Sequence, residues 1–164
     1  MSAEGTGWTP QPTHPPRVVA DLLKTEVVVV PARCTVAEAV RLLGAGHVSG
    51  APVVEGDHVV GVVTMGDLRR WTAATHPEDL DPVARARWAG RGSLEQARVG
   101  DLLGRRPITA RPDWPLGQAL TALETAGIQR LPVVDAAGRL LGVVSREALL
   151  AATVAPQRAH ADRP

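Results

Sequence analysis

The chain has 164 residues, of which 45% are hydrophobic and 21% charged, enough to bury a core in one domain or two small halves. It has no Phe or Tyr and only four Trp, so its core must use Val, Leu and Ala, which favours β-branched strands covered by helices. Eighteen basic and seventeen acidic side chains leave a net charge of +1, which argues against a nucleic-acid or membrane-surface partner.

Single residue types exclude further classes of protein. Cys34 is the one cysteine, so neither an internal disulfide nor a zinc site built from cysteines can form, and we expect an inert thiol there. The five histidines show no metal-ligand spacing, so we expect no metal and no cofactor. The longest apolar runs, such as Val27 to Val30, are far too short to cross a bilayer, and the first residues lack the charged-then-apolar layout expected of a signal peptide. We expect a cytoplasmic protein.

The two ends of the chain and its middle differ from the rest in composition. Residues 1–16 are rich in Pro and Gly and almost free of aliphatic side chains, so they cannot bury enough surface to become ordered. Residues 155–164 have a similar composition, and we predict that both segments are disordered tails. Residues 73–97 form an insertion rich in Pro, Ala and Arg. Within it, Pro82 to Ala89 can form a short helix, and Ser93 with Gln96 can cap the next one.

The rest of the chain repeats itself, over residues 17–72 and 98–154. Segment 19–23, Val-Ala-Asp-Leu-Leu, matches segment 99–103, Val-Gly-Asp-Leu-Leu, at an offset of 80. The Pro-Val-Val of 52–54 recurs at 132–134, and one extra residue in the turn that follows moves the offset to 81. Such self-similarity marks a duplicated unit. Each unit has about 55 residues, which is marginal for a separate core, so the two copies should pack together.

Each unit predicts the same elements in the same order: a short helical segment, a strand, a helix, two strands and a closing helix. Apolar side chains at i, i+3, i+4 and i+7 predict the longer helix, with Thr35 and Glu38 as a capping box in the first copy and Pro115 beginning the second. The predicted strands are Val27 to Val30, Ala51 to Val54, His58 to Val63, Pro107 to Ala110, Leu131 to Val134 and Arg139 to Val144.

The segment most suggestive of chemistry is 61–67, Gly-Val-Val-Thr-Met-Gly-Asp, where a strand runs into a helix. Thr64 with Asp67 three residues later is an acidic capping box, and many helices begin this way without a ligand. A helix N-terminus is also an anion site, because its free N–H groups and its positive dipole end attract phosphate. A carboxylate in that turn can accept two ribose hydroxyls. The motif alone leaves both interpretations open.

Together, the duplicated order of elements, the Pro-Val-Val strands and the two Gly-x-x-[Ser/Thr] turns resemble the tandem CBS domain pair, also called a Bateman module. The resemblance covers residues 18 to about 72 and 98 to about 153. It implies an α/β (α+β) fold in which two CBS repeats pack about a pseudo-two-fold axis. It also implies that adenosine-containing ligands bind in clefts between the repeats and that the module regulates another protein or domain.

In that family each cleft is composite, with ribose and phosphate contacts from one repeat and the adenine wall from the other. By this resemblance one cleft has every role filled. Its Asp and Thr are Asp67 and Thr64, its adenine wall includes Ile108, and a polar pair precedes the Pro-Val-Val strand. Arg130 would supply the fork that binds phosphate. The predicted ligand-binding residues are Thr64, Asp67, Ile108, Gln129, Arg130 and Arg146.

The second cleft would combine Ser145 and Ala148 with Val28 and the pair Ser49 and Gly50. It lacks the aspartate, because Ala148 stands in that place, and the arginine, because Gly50 matches Arg130. Two losses in one composite site favour a single functional cleft in each chain.

Three classes of function follow. The first is a regulatory module that binds AMP, ADP, ATP or S-adenosylmethionine and modulates an unknown partner protein. The alternative is a structural CBS pair without a ligand. The third, an enzyme, has no supporting motif, since the chain lacks G-x-S-x-G and P-loop sequences. By the same resemblance we expect a homodimer formed through the helices.

Overall fold

The computed structural model describes residues 16–74, 76–88, 96–104 and 106–154. Most of both predicted tails and Ser93 of the predicted cap lie outside these residues. The elements, in chain order, are a 3₁₀ turn at Val19–Leu22, β1 (Val30–Pro31), α1 (Val36–Ala45), β2 (Gly50–Glu55), β3 (His58–Thr64), α2 (Met65–Ala73), a 3₁₀ turn at Pro77–Asp79, α3 (Pro82–Trp88), α4 (Val99–Leu102), α5 (Leu116–Ala126), β4 (Arg130–Val134), β5 (Leu140–Ser145) and α6 (Arg146–Val154).

The two repeats have the same sheet topology. In the first, β1 pairs parallel to β2, and β2 pairs antiparallel to β3. In the second, β4 pairs antiparallel to β5, and Ala110 forms an isolated parallel bridge with Val133 in the place of β1. Both hairpins shift register at the same point, between Val53 and Val54 and between Val133 and Val134. The predicted α+β fold of two repeats with the same order of elements is confirmed.

The turns and helix caps follow the local sequence. Gly56, with φ of +65°, takes the left-handed position in the turn between β2 and β3. Thr35 and Glu38 form the predicted capping box of α1, with the Thr35 N–H to Glu38 Oε2 bond at 2.8 Å. Pro115 stands at the N-cap of α5, just before its first residue. These local signals set where the long helices begin and where the first hairpin turns.

The first strand of each repeat is shorter than predicted. Of Val27 to Val30 only Val30 lies in a strand, and of Pro107 to Ala110 only Ala110 pairs. Ala110 donates its N–H to the Pro132 carbonyl and accepts from the Val134 N–H, so the next bond would need an N–H from Pro132. Proline has none, and Pro52 occupies the same place in repeat 1. The prolines of the central strands therefore stop the parallel ladder.

The segments that lead each repeat in sequence pack against the other repeat. Val19 is fully buried in the core of repeat 2, and its N–H donates to the Trp114 carbonyl at 2.9 Å. In the opposite direction, Val99 is buried in the core of repeat 1, and its N–H donates to the Cys34 carbonyl at 2.8 Å. The packing units therefore differ from the sequence ranges 17–72 and 98–154, since the leading segments are exchanged.

The insertion between the repeats also contributes to a core. Its predicted helix is present as α3, where the carboxylate of Asp81 accepts the N–H groups of Val83 and Ala84, both at 3.0 Å. Trp88 at the end of α3 is 3% exposed and belongs to the core cluster of repeat 1, as does Trp71 of α2. Both tryptophans are therefore core residues.

The two repeats also meet at their hairpin tips. The Leu140 N–H donates to the Asp57 carbonyl at 2.8 Å, and the Val59 N–H donates to the Gly138 carbonyl at 3.3 Å. These bonds join the end of one hairpin to the end of the other. In the described part of the chain no helix has the length and apolarity needed to cross a membrane.

Gly142 tests the exchanged packing, because a Cβ at this position would collide with the Lys24 carbonyl oxygen and the Leu23 side chain. The backbone of the leading segment lies against β5 at this point, so Gly142→Ala must push it away. We expect the free energy of unfolding to fall by about 1 to 3 kcal/mol, as for other overpacked sites. Urea denaturation monitored by circular dichroism measures it.

Gly117→Ala is the matched control, since a Cβ there would meet nothing within 4 Å. Gly117 lies inside α5, so alanine should stabilise the protein by about 0.5 to 1 kcal/mol. Equal effects of the two substitutions would contradict the close approach of segment 19–24 to β5.

Candidate functional site

A cavity of about 310 Å³ opens where the two repeats meet, and we call it the central pocket. Repeat 1 contributes the turn before β2 and the start of α2, and repeat 2 contributes the loop between α5 and β4. Its lining includes Ser49, Gly50, Thr64, Met65, Gln129 and Arg130. Prolines of β2 and β4 and valines of β3 and β5 complete its wall, so the pocket has an apolar floor with polar groups at two sides.

The start of α2 forms one side of the central pocket. β3 ends at Thr64, whose side chain accepts the Asp67 N–H at 3.1 Å, and Asp67 Oδ2 accepts the Thr64 N–H at 2.9 Å. The capping box predicted from the sequence is therefore present. These bonds use two N–H groups, and the Met65 N–H donates to the Ser49 carbonyl at 2.8 Å, so the Gly66 N–H is the donor of this turn that remains directed out of the helix.

The carboxylate of Asp67 has a second partner. The guanidinium of Arg70, one turn further along α2, bonds to Asp67 Oδ1. The Arg70 side chain is 73% exposed and that of Asp67 is 23% exposed. An ion pair this exposed contributes little to stability, because water screens it. Arg70 is therefore a partner that a ligand hydroxyl can replace at small cost.

Arg130 forms the opposite side of the central pocket. It is the first residue of β4, and its Nη1 donates to Ser49 Oγ at 3.0 Å, a bond between the two repeats. Among the residues that the structure describes, no carboxylate lies within ion-pair distance of this guanidinium. A guanidinium has five N–H donors, so Arg130 keeps most of its donors and its full charge.

The central pocket brings together some of the predicted ligand residues. Thr64, Gln129 and Arg130 line it, although they come from different repeats. Asp67 sits in the same helical turn but outside the lining. Ile108 is also outside the lining, with a side chain that is 43% exposed.

Arg146 does not line the central pocket, unlike Arg130. Its N–H donates to the Gln129 carbonyl at 2.8 Å, and its Nη2 lies 3.8 Å from Glu124 Oε1. Its Nε is buried and has no hydrogen-bond partner. The guanidinium of Arg146 is therefore turned toward Glu124 on α5 and is partly neutralised there.

The residues assigned by resemblance to a second cleft are not all gathered in one place. Ser145 caps α6, with its Oγ accepting the Ala148 N–H at 3.1 Å. Ser49 and Gly50, however, line the central pocket with Arg130, and Val28 lies against Gly46 at the end of α1. Sequence reasoning missed Ser49 as the partner of Arg130. The signal was available, since Ser49 occupies the repeat position of Gln129.

Three other kinds of site can be checked in the structure: a metal site, a reactive cysteine and a nucleic-acid surface on the insertion. No group of His, Cys, Asp and Glu in the described ranges could hold a metal ion. Burial raises the pKa of the Cys34 thiol, which disfavours the nucleophilic thiolate. In the insertion, Trp88 is buried, so its ring cannot stack on a nucleic-acid base. Arg85 in the same segment donates to the Glu78 and Leu80 carbonyls.

Family comparison agrees with this architecture. The CBS domain model matches residues 19–74 and 99–155. The chain therefore belongs to the CBS domain family and carries two copies of the domain.

The similarity extends over nearly the full length of some relatives and over a small part of others, which are enzymes. The uncharacterized protein MJ1426 of Methanocaldococcus jannaschii is 29% identical over 155 residues, covering 84% of this chain and 91% of that protein. Inosine-5'-monophosphate dehydrogenase of Korarchaeum cryptofilum is 31% identical over 120 residues, covering 73% of this chain but 21% of the enzyme. The similarity to the enzyme is therefore confined to a module of it.

Among solved structures, CBSX2 of Arabidopsis thaliana in complex with AMP has a TM-score of 0.67 to this chain at 28% identity. The match covers 86% of this chain and 98% of that one. Similar folds include the CBS domain of a bacterial CNNM/CorC Mg²⁺ transporter in complex with ATP, with a TM-score of 0.61 at 20% identity, covering 84% of this chain and 87% of that one. CBSX2 thus binds AMP, and the CBS domain of that transporter binds ATP.

The cap of α2 gives a stability test that does not depend on a ligand. Thr64→Ala removes the side chain that accepts the Asp67 N–H, and we expect the free energy of unfolding to fall by about 1 kcal/mol. Ser145→Ala is the matched variant in repeat 2 and should cost a similar amount. Chemical denaturation measures both. An unchanged midpoint for Thr64→Ala would show that the hydroxyl does not cap the helix.

Proposed function

We propose that this chain is a regulatory module that binds an adenosine nucleotide in the central pocket and signals its occupancy to a partner protein. One observation supports the proposal most strongly. The start of α2 and the guanidinium of Arg130 line the same cavity, and Arg130 has no carboxylate partner among the described residues. The Gly66 N–H at the helix start and the cation of Arg130 line one cavity, and together they fit a phosphate group. The AMP complex of CBSX2, at 28% identity, supports the same ligand class.

The proposed roles of the six predicted residues follow their positions. Thr64 and Arg130 bind the phosphate, and Gln129 offers an amide at the pocket wall. Asp67 accepts the ribose hydroxyls, which displace the exposed side chain of Arg70 from its carboxylate. Ile108 is exposed enough to cover an adenine face when a nucleotide is present. Arg146 lies outside the pocket lining and is partly neutralised by Glu124, so its contribution is a weak positive potential from the start of α6.

The alternative is a structural module that assembles proteins without a ligand. The observation in its favour is that the carboxylate of Asp67 is already satisfied by the Thr64 N–H and Arg70. Under this alternative the segment 64–67 is only a helix cap. We also propose that the chain itself is regulatory and not catalytic, since its similarity to an enzyme covers 21% of that enzyme.

Binding by two variants separates these functions. Asp67→Ala removes a charged acceptor, so the affinity for AMP should fall about tenfold to a hundredfold. Arg130→Ala should weaken AMP more than adenosine, because the guanidinium faces the phosphate. Isothermal titration calorimetry should give one nucleotide per chain for the unmodified protein, since Ala148 stands at the repeat position of Asp67 and Gly50 at that of Arg130, so the second copy of each group is missing.

Arg139→Ala is the matched control for the loss of a positive charge. Arg139 pairs with Asp135 at the tip of the second hairpin and does not line the central pocket, so nucleotide affinity should stay unchanged. If Asp67→Ala destabilises α2 by about 1 kcal/mol yet leaves AMP affinity intact, Asp67 is a cap only. The structural alternative then holds.

We propose further that the protein is a homodimer joined through its helices. Val40 and Leu42 of α1 are each 37% exposed and flank the buried side of the helix at Ala39 and Leu43, and exposed aliphatic side chains on a helix favour association. Sedimentation equilibrium at tens of micromolar should give the mass of two chains, and Val40→Glu should shift it toward one. A monomeric mass for the unmodified protein would contradict the dimer.

A further inference from the structure

Charge in the central pocket is limited to one group. Of the described residues that line it, Arg130 alone is charged, and no acidic side chain lines it. The guanidinium bonds to the neutral hydroxyl of Ser49, so its charge is not cancelled. The volume of about 310 Å³ is at the lower end of ligand pockets, roughly 300 to 1,000 Å³. The pocket therefore offers one small anionic group a single cation.

The start of α2 differs from its repeat partner at several lining positions, and Met65 is the one at which the partner carries a cation. Met65 lines the central pocket, and its N–H donates to the Ser49 carbonyl at 2.8 Å. Arg146 stands at the same place in repeat 2, with its N–H bonded to the Gln129 carbonyl, also at 2.8 Å. The backbone is the same in both repeats. Repeat 1 thus has a thioether where repeat 2 has a guanidinium.

The surroundings of these two positions differ as well. Arg146 faces Glu124 on α5, whereas the matching position on α1 is Gly44, beside which the structure has open space. An arginine at position 65 would therefore find no carboxylate at position 44 to neutralise it. Its charge would stay available to a ligand in the central pocket.

We propose that Met65 limits the central pocket to a nucleoside monophosphate and that Arg130 is the cation which binds it. This inference rests on the proposed nucleotide binding at the same site. A phosphate monoester carries between one and two negative charges at neutral pH, which a single guanidinium can meet with paired hydrogen bonds. Each further phosphate adds negative charge for which the pocket has no cation.

The same charge count acts against a cationic ligand. The sulfonium of S-adenosylmethionine would lie in the same small cavity as Arg130, and like charges in a partly dehydrated pocket repel. Met65 itself packs against the core of repeat 1, so its side chain gives the pocket an apolar wall there. The preferred order of ligands is therefore AMP first, then adenosine, with ATP and S-adenosylmethionine weakest.

Calorimetric titration of the full chain with AMP, adenosine, ATP and S-adenosylmethionine tests this order. We expect AMP to bind at least tenfold more tightly than ATP. Met65→Arg adds a second cation, so its affinity for ATP should rise tenfold to a hundredfold, as expected for new charge-assisted hydrogen bonds. Met65→Leu is the matched control, which keeps the apolar wall and should keep the preference for AMP.

A second charge variant guards against misfolding. Ser49→Lys places a cation at an exposed lining position outside the helix, and it should also raise ATP affinity relative to AMP. Thermal melts identify which variants are folded. ATP binding as tightly as AMP in the unmodified protein would overturn the inference, as would two folded charge variants with an unchanged ratio. Binding of none of the four compounds would instead overturn the proposed function on which the inference rests.

Discussion

The exchange of leading segments holds the two repeats together. Each core contains apolar side chains from a segment that precedes the other repeat, with Val19 in one and Val99 in the other. Each leading segment lies close to a strand glycine of the other repeat. The Lys24 carbonyl lies against Gly142, and the side chain of Leu103 lies against Gly61. The repeats therefore cannot separate without opening both cores. A unit of about 55 residues is marginal for a separate core, and the exchanged segments add buried apolar side chains to each core.

The walls of the central pocket are fixed by the same packing. One side comes from the start of α2 and the other from the loop before β4, so the pocket exists only while the repeats stay joined. Backbone symmetry places the same hydrogen bonds around both helix starts, at Met65 and at Arg146. Side chains then break the symmetry, because Arg130 matches Gly50 and Asp67 matches Ala148. A duplicated scaffold with unequal side chains can thus give one charged pocket per chain.

Much of the fold could be predicted from local signals. The apolar spacing of α1 and α5, the Gly56 turn and the capping boxes at Thr35 and Thr64 all depend on neighbours within a few residues, and the structure has each of these. The first strands were overpredicted because a β-branched run such as Val27 to Val30 does not reveal its partner. Their length depends on Pro52 and Pro132, which lie more than twenty residues away and remove donors from the ladder.

Less of the candidate site could be predicted, because it depends on contacts between repeats. The bond from Arg130 to Ser49 joins residues 81 positions apart, and nothing local indicates it. Asp67 shows the opposite limit. Its sequence pattern fits a cap, the commoner cause, as well as a ribose ligand, and the structure adds Arg70 as a partner that no capping rule requires. Placement of Ser49 and Gly50 beside Arg130 likewise needed the packing of one repeat on the other.

A crystal structure of the full chain grown with AMP tests nucleotide binding in the central pocket. We expect one nucleotide per chain there, with its phosphate on Arg130 and the Gly66 N–H and its ribose on Asp67. Arg130 should then have left Ser49, and Arg70 should have left Asp67. Density for AMP elsewhere, or an empty pocket at saturating AMP with both of these bonds intact, would contradict it.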